Sequence, residues 1–228
     1  MEILHKGKIK SVYRFSDDIV IIEFSDYASA FNGKKFQTFE GKGVLNAKFS
    51  SFFFELLSKS GLKNHYIKRE NNRIYCKKLN MFKMEIVVRN IATGSIVKRL
   101  GIENKYEFKK PILEFFYKND ELNDPLICRE HIYSLNLANE EELRVIEDMA
   151  MKANSILLEF FKSYSLKLVD IKFEFGKYND EILLGDEISP DIFRVWDENG
   201  NSYDKDVFRF DKGNLIEAYR KLSEIINI

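Results

Sequence analysis

Residues 168–186, LVDIKFEFGKYNDEILLGD, hold the pattern with the most chemical content. Val169, Ile171, Phe173 and Phe175 alternate with Asp170, Lys172 and Glu174. A strand here puts the apolar set on one face and the charged set on the other. Residues 176–180 read as a turn and 181–186 as the return strand. With the hairpin centred on Asp180, Glu174 stands opposite Asp186, and a slip of one residue turns one of them away. Facing carboxylates repel unless a cation lies between them. Mg²⁺ favours one or two carboxylates completed by phosphate oxygens and water. The pattern therefore reads either as an acidic pair for Mg-nucleotide or as the solvated face of a half-exposed hairpin.

Five other segments carry candidate groups. In GDEISPD (185–191), Asp186, Glu187 and Asp191 crowd around a turn stiffened by Pro190, with Arg194 following. In Gly7-Lys8-Ile9-Lys10-Ser11, the glycine lets backbone approach a ligand and the lysines can meet phosphate. The GxxxxGK[ST] and GxGxxG patterns are both absent, which excludes a P-loop NTPase and a dinucleotide fingerprint. Lys77 and Lys78 end a strand, and adjacent strand residues face opposite ways, so at most one enters a given cleft. IVVRNIATGSIVKR (86–99) runs from a buried-looking strand bearing Arg89 to a helix start at Ser95, where free N–H groups can receive phosphate, with Lys98 and Arg99 beyond. FYKNDELNDP (116–125) sets Lys118, Asp120 and Asp124 in a polar loop. Each segment alone also fits an ordinary surface turn, cap or hairpin.

The elements that must position these groups follow from periodicity. Residues 9–15 and 18–24 read as a hairpin, and 65–69, 73–79 and 85–91 as further strands. Residues 40–59 read as a helix, with Leu45, Phe49, Phe52, Phe53 and Leu56 at three- and four-residue spacing and Gly61 as a stop. The clearest helix covers 139–163: Asn139 as N-cap, Glu140 to Glu142 in the first turn, and a stripe of Leu143, Ile146, Met149, Ala150, Ala153, Ile156 and Leu157. Strands at 167–175 and 181–186 and a helix near 213–226 complete the order. The order predicts an α+β fold with antiparallel sheets. It divides into an N-terminal lobe over 1–83 and a C-terminal lobe over 84–228.

Composition narrows the function. The 228 residues are 45% hydrophobic, with 20 Phe and 11 Tyr to fill a core. Lys+Arg and Asp+Glu balance at 36 each, without the basic excess of a nucleic-acid binder. A local basic cleft for an anionic small ligand is compatible with that balance. Cys76 and Cys128 fit no metal spacing, and His5, His65 and His131 are scattered, so reduced thiols and no histidine zinc site are expected. MEILHKGKIK has no apolar targeting core, and no apolar run approaches a membrane span. A soluble, cytoplasmic protein without membrane or nucleic-acid partners is the expectation.

Taken together, GKIKSVY, DYASAFNGKK, GKGVLNAKFSSFFFELL, VVRNIATGSIVKRLG, FYKNDELNDP, LVDIKFEFG, LGDEISPD and DKDVFRFD resemble, in order and spacing, the signature segments of the SAICAR synthetase family. The resemblance runs from about residue 3 to residue 222. It implies a two-lobed fold whose N-terminal lobe is similar to the protein-kinase small lobe, with ATP and Mg²⁺ between the lobes. The implied reaction joins L-aspartate to an imidazole carboxylate ribonucleotide through an acyl phosphate. Family members are often homodimers in bacteria.

By the same resemblance, Lys8, Ile9 and Lys10 cover the ATP phosphates, Lys77 adds a nucleotide contact, and Met81 to Met84 form the adenine-side linker. Glu174 and Asp186 are the metal-linked carboxylates. Arg89, Ser95 and Arg194 hold the imidazole nucleotide, with Asp191 a neighbouring contact. Lys118, Asp170 and Lys172 surround the reacting carboxylate as the catalytic set. The 27–35 loop is similar to one that positions aspartate, although Phe31-Asn32 stands where some members carry Gly-Asp. A kinase-like phosphotransferase acting on a small alcohol is the rival reading, opposed by the missing H-R-D loop. A non-catalytic nucleotide-binding module is the third.

Overall fold

The computed structural model describes residues 1–7, 9–30 and 33–228. Lys8, Phe31 and Asn32, singled out above, lie outside the described residues. The chain runs β1 (Ile3–Lys6), β2 (Lys10–Arg14), β3 (Ile19–Phe24), β4 (Tyr27–Ala30), β5 (Lys35–Thr38), α1 (Lys42–Lys59), β6 (Tyr66–Glu70), β7 (Arg73–Lys77), β8 (Asn80–Met81) and β9 (Met84–Ile91). It continues through α2 (Ser95–Leu100), β10 (Glu107–Tyr117), β11 (Leu126–Ile127), α3 (Arg129–Ser134), α4 (Glu140–Lys162), β12 (Leu166–Tyr178), β13 (Glu181–Gly185), β14 (Phe193–Asp197), α5 (Asp206–Arg209) and α6 (Leu215–Ile225). The fold is α+β.

One sheet has the order β1-β2-β3-β7-β6; a second has β11-β10-β9-β12-β13, with β14 and β8 also paired to β12. Their named strands pair antiparallel. The chain passes from the first sheet to the second between Lys77 and Asn80. A second tie joins the sheets: the His65 N–H donates to the Leu184 carbonyl at 3.0 Å, and the Leu184 N–H to the Lys63 carbonyl at 3.2 Å.

α4 forms where its periodicity places it. Asn139 Oδ1 accepts from the Glu142 N–H and Glu142 Oε2 accepts from the Asn139 N–H, both at 2.9 Å, which closes a reciprocal cap. Leu143, Ile146, Ala150, Ala153, Leu157 and Phe161 bury against the second sheet, while Met149 and Ile156 are half-buried at its margin. α1 connects the two halves through aromatic rings. Phe53 lies 5.5 Å from Phe161 of α4 and 5.8 Å from Phe193 of β14, centroid to centroid. Gly43 sits so close to β3 that an added Cβ would collide with the Phe24 carbonyl. That contact seats the first turn of α1, and Lys42 with it, in the interior.

The late hairpin departs from expectation by one residue. Tyr178 pairs with Glu181 across a two-residue turn, so Glu174 faces Gly185 rather than Asp186. Asp186 lies just past the strand in the left-handed region at φ 60°, a conformation Asp tolerates better than most residues. The backbone twist, not the ladder, aims its side chain.

Candidate functional site

A cleft of about 600 Å³ opens where β2, β9, β12 and β14 converge with the segments carrying Lys118, Asp191 and α5. Of the residues singled out in the sequence, Ile9, Lys10, Arg89, Lys118, Asp170, Lys172, Glu174, Asp191 and Arg194 line it. Period two accounts for the β12 trio, and antiparallel pairing sets Asp170 beside Arg89 of β9 and Arg194 of β14.

The charges are interlocked. Lys10 donates to Asp186 at 2.5 Å and to Glu187 at 2.9 Å. Glu174 receives Lys118 on one oxygen and Lys172 at 3.3 Å on the other, and Lys172 also donates to Glu85 at 2.6 Å. Burial pushes the Asp186 carboxyl up, but Lys10, Lys118 and Lys172 more than reverse that and hold it well below the usual carboxylate range. Burial likewise opposes the charge on Lys10, and Asp186, Glu187 and Glu174 raise it above the ordinary lysine value. Behind Asp186, burial pushes the His65 imidazole down to about 4, so it is neutral at physiological pH.

At the other end, Asp170 Oδ2 accepts from Arg89 at 2.9 Å and from Arg194 at 2.7 Å. Arg89 is also held by Glu114 at 2.7 Å and Arg194 by Asp206 at 2.8 Å. Each guanidinium is thus fixed from two sides and keeps donors for an incoming oxyanion. Ser95 is behind them, its hydroxyl accepting from Arg99 at 2.8 Å and Arg89 at 3.3 Å. Gly94, at φ 67°, gives Arg194 its room, since a Cβ there would lie 3.1 Å from the guanidinium.

Three expected contacts differ from what the structure displays. Met84 is fully buried in the core at the start of β9, so its side chain faces no ligand. The Asp191 carboxylate lies beneath the cleft floor, taken by Lys42 at 2.5 Å, Asn46 at 2.7 Å and Tyr219 at 2.8 Å. Asp170 is occupied by two arginines and serves in the structure as their clamp. Lys77 and Met81 stand apart from the cleft, at the crossing between the sheets: the Lys77 ammonium lies 5.1 Å from the Tyr178 ring, and Met81 pairs with Gly176.

The cleft also contains Asp120 and Glu187, candidate acids in the sequence that were given no specific role, and His5, Glu85, Lys205 and Arg209, which the sequence reading did not place in a site. Lys205 and Arg209 belong to the DKDVFRFD segment, and their four-residue spacing across the start of α5 was the available signal.

Among the described residues no cluster of three or more His, Cys, Asp or Glu could hold a metal by itself. Glu174 and Asp186 supply the two carboxylates that suit a Mg²⁺ whose remaining sites are phosphate oxygens and water, so the residues present fit a metal that arrives with its nucleotide.

The family described as SAICAR synthetase matches residues 3–226 of this chain. A phosphoribosylaminoimidazole-succinocarboxamide synthase from Persephonella marina is 50% identical over 228 residues, covering 99% of this chain and 96% of that protein. A solved SAICAR synthetase in complex with ADP superposes with a TM-score of 0.96 at 47% identity, covering 99% of this chain and 97% of the other. The crystal structure of SAICAR synthetase from Pyrococcus horikoshii OT3 gives 0.93 at 48% identity, covering 96% and 97%.

Proposed function

The chain belongs to the SAICAR synthetase family, and on that premise we propose that it uses ATP to join L-aspartate to 5-amino-1-(5-phosphoribosyl)imidazole-4-carboxylate, giving SAICAR, ADP and phosphate in purine biosynthesis. The observation that carries the reading is the two-ended cleft, with Lys10, Lys118 and Lys172 around Glu174 and Asp186 at one end and the Arg89–Asp170–Arg194 clamp at the other. One end suits a nucleoside triphosphate and the other a sugar phosphate.

A carboxylate is a poor acyl donor, so phosphoryl transfer must activate it before the aspartate amine attacks. Such transfer asks the protein for in-line placement and charge neutralisation. Lys10, together with the segment at Lys8 and Ile9, meets the ATP phosphates, and the Lys77–Met81 crossing borders the base. Lys118 and Lys172 offset charge as the γ-phosphoryl group moves onto the imidazole carboxylate. Arg89 and Arg194, positioned by Asp170, hold the 5′-phosphate, with Ser95 orienting the Arg89 guanidinium. Glu174 and Asp186 would hold Mg²⁺, which supplies further charge neutralisation on the phosphate oxygens. Residues 1–83 act as the nucleotide-covering lobe and 84–228 carry the metal and substrate sites. A cytoplasmic homodimer accompanies the reading, and sedimentation of the purified chain checks the dimer.

The test is a coupled ADP-release assay with each substrate omitted in turn. ADP is expected only when ATP, aspartate and the imidazole carboxylate are all present. Release without aspartate would favour a phosphotransferase. Glu174→Gln and Asp186→Asn are each expected to reduce kcat about 10²-fold or more, and wild-type rates in both would remove them from the metal site.

A further inference from the structure

Lys205 immediately precedes α5, lines the cleft and is 8% exposed. Every other described lysine or arginine on that wall donates to a carboxylate: Lys10 to Asp186, Arg89 and Arg194 to Asp170, Lys118 and Lys172 to Glu174, and Arg209 to Asp206. Lys205 is the exception. Its nearest carboxylate oxygen, Asp191 Oδ1, is 4.0 Å away, beyond hydrogen-bond length.

The cause is structural. Lys42 of α1 and Asn46, one turn on, take Asp191 Oδ2, and Tyr219 of α6 takes Oδ1. The remaining charges facing Lys205 are Glu187 from the preceding segment and Arg209 from α5, besides Lys42 itself. Burial, reinforced by Arg209 and Lys42, outweighs Asp191 and Glu187 and pushes the Lys205 ammonium down to about 8.

The ligation chemistry needs such a group. Aspartate arrives with its amine protonated, and a nitrogen without a lone pair cannot attack. Asp186 and Glu187 are engaged by Lys10, Glu174 by Lys118 and Lys172, Glu85 by Lys172 and Asp170 by Arg89 and Arg194, and His5 sits on the exposed strand β1 at the rim. We propose that Lys205 is the proton acceptor that frees the amine of the incoming aspartate, and that Lys42, Asn46 and Tyr219 hold Asp191 off so that Lys205 Nζ stays unpaired. The proposal rests on the ligase reading above.

The step balances. The Nζ lone pair takes one proton from the α-ammonium. The freed nitrogen pair forms the C–N bond to the acyl carbon of the acyl phosphate. The bond from that carbon to the phosphate oxygen breaks, its electron pair leaves on phosphate, and phosphate takes the second nitrogen proton. Lys205 then returns its proton to solvent. Lys205 is thus a catalytic residue, and Lys42, Asn46 and Tyr219 are positioning residues.

The experiment is the pH dependence of kcat/KM for aspartate from pH 6 to 10, with ATP and the imidazole carboxylate saturating. In the wild type the rate is expected to rise through an inflection near pH 8, because the unprotonated lysine is the active form. Lys205→Arg keeps the charge but cannot titrate in this range. It is expected to lose about 10²-fold or more in kcat, with KM for ATP within threefold, and its residual rate should climb steadily with pH as solution supplies free amine. Tyr219→Phe releases an Asp191 oxygen toward Lys205 and should move the inflection upward.

Should Lys205→Arg not fold, Lys205→Cys alkylated with 2-bromoethylamine restores an amine at the same place. Activity should return on alkylation, with alkylated wild type as the control for Cys128. Lys205→Arg with kcat within threefold, an unchanged inflection in that variant, or a folded aminoethylated protein without recovery would each overturn the proposal. So would a rise in KM for aspartate alone, which would make Lys205 a carboxylate anchor. A wrong ligase reading would show differently, as wild type that forms no ADP in response to aspartate at any pH.

Discussion

Replacing Lys42 by methionine should be among the most damaging single changes in this chain, although Lys42 touches no solvent. The side chains of Lys42 and Asp191 are both fully buried, with their charged atoms 2.5 Å apart. Methionine matches the volume of the lysine stem, so packing changes little, and the loss is electrostatic. Removing one partner of a buried pair leaves the other charge uncompensated, at about 3–5 kcal/mol. Asn46 and Tyr219 still donate to Asp191, and Lys205 lies 4.0 Å from it, which softens the effect and favours the lower part of that range. At about 2–4 °C per kcal/mol for a chain of this size, Tm should fall by roughly 6–12 °C. The combined Lys42→Met/Asp191→Asn variant removes the stranded charge while keeping an oxygen for Tyr219, and should recover at least half of the loss. Urea unfolding followed by the fluorescence of Trp196, the single tryptophan, measures both. A single-variant loss below about 1 kcal/mol, or a double variant no more stable than the single, refutes the reasoning.

Two further outcomes follow from the same geometry. His65, 3% exposed and pushed down to about 4 from 6.5 by burial, is neutral when folded and protonates readily when unfolded. The unfolded state therefore binds more protons between those pH values, and stability should fall by on the order of 3 kcal/mol as pH drops from 6.5 to 4; chemical denaturation of His65→Gln should show a visibly flatter acid limb. Asp170→Asn weakens one charge-assisted acceptor shared by Arg89 and Arg194, while Glu114 and Asp206 still retain each guanidinium. With about 1.5–3 kcal/mol at stake, KM for the imidazole nucleotide should rise roughly 10-fold or more, and steady-state kinetics giving a KM within twofold would count against the clamp.

Much of this architecture was legible because the patterns were local. The Asn139 cap and the stripe from Leu143 to Leu157 define α4 to within a residue at each end, and alternation from Val169 to Phe175 gives the buried and charged faces of β12. What escaped depended on distant partners. The eleven-residue strand β10 contains the run Lys109-Lys110-Pro111, which falls in the irregular stretch between its Glu107 and Ile112 pairings with β9, so no simple alternation announced it. The hairpin register turned on whether the loop held two residues or three, and Asp186 reaches the site only through its left-handed backbone. Nothing in the sequence around Lys42, at the start of the 40–59 helix, marks it as interior. Only the close seating of Gly43 against Phe24, and the arrival of Asp191 from 149 positions away, make it interior.

The interlocking of opposite charges along the cleft also governs how a ligand enters. With Lys10, Arg89, Lys118, Lys172, Arg194 and Arg209 already neutralised by neighbouring carboxylates, an arriving phosphate shares a guanidinium with its clamping carboxylate or replaces a carboxylate on a lysine, instead of meeting a bare cation. Few mobile counterions are displaced either way, so binding should depend only shallowly on ionic strength. Selectivity then comes from shape: an anion that reaches one cation but strands the carboxylate it displaces gains nothing, and only a molecule satisfying both ends of the cleft is retained.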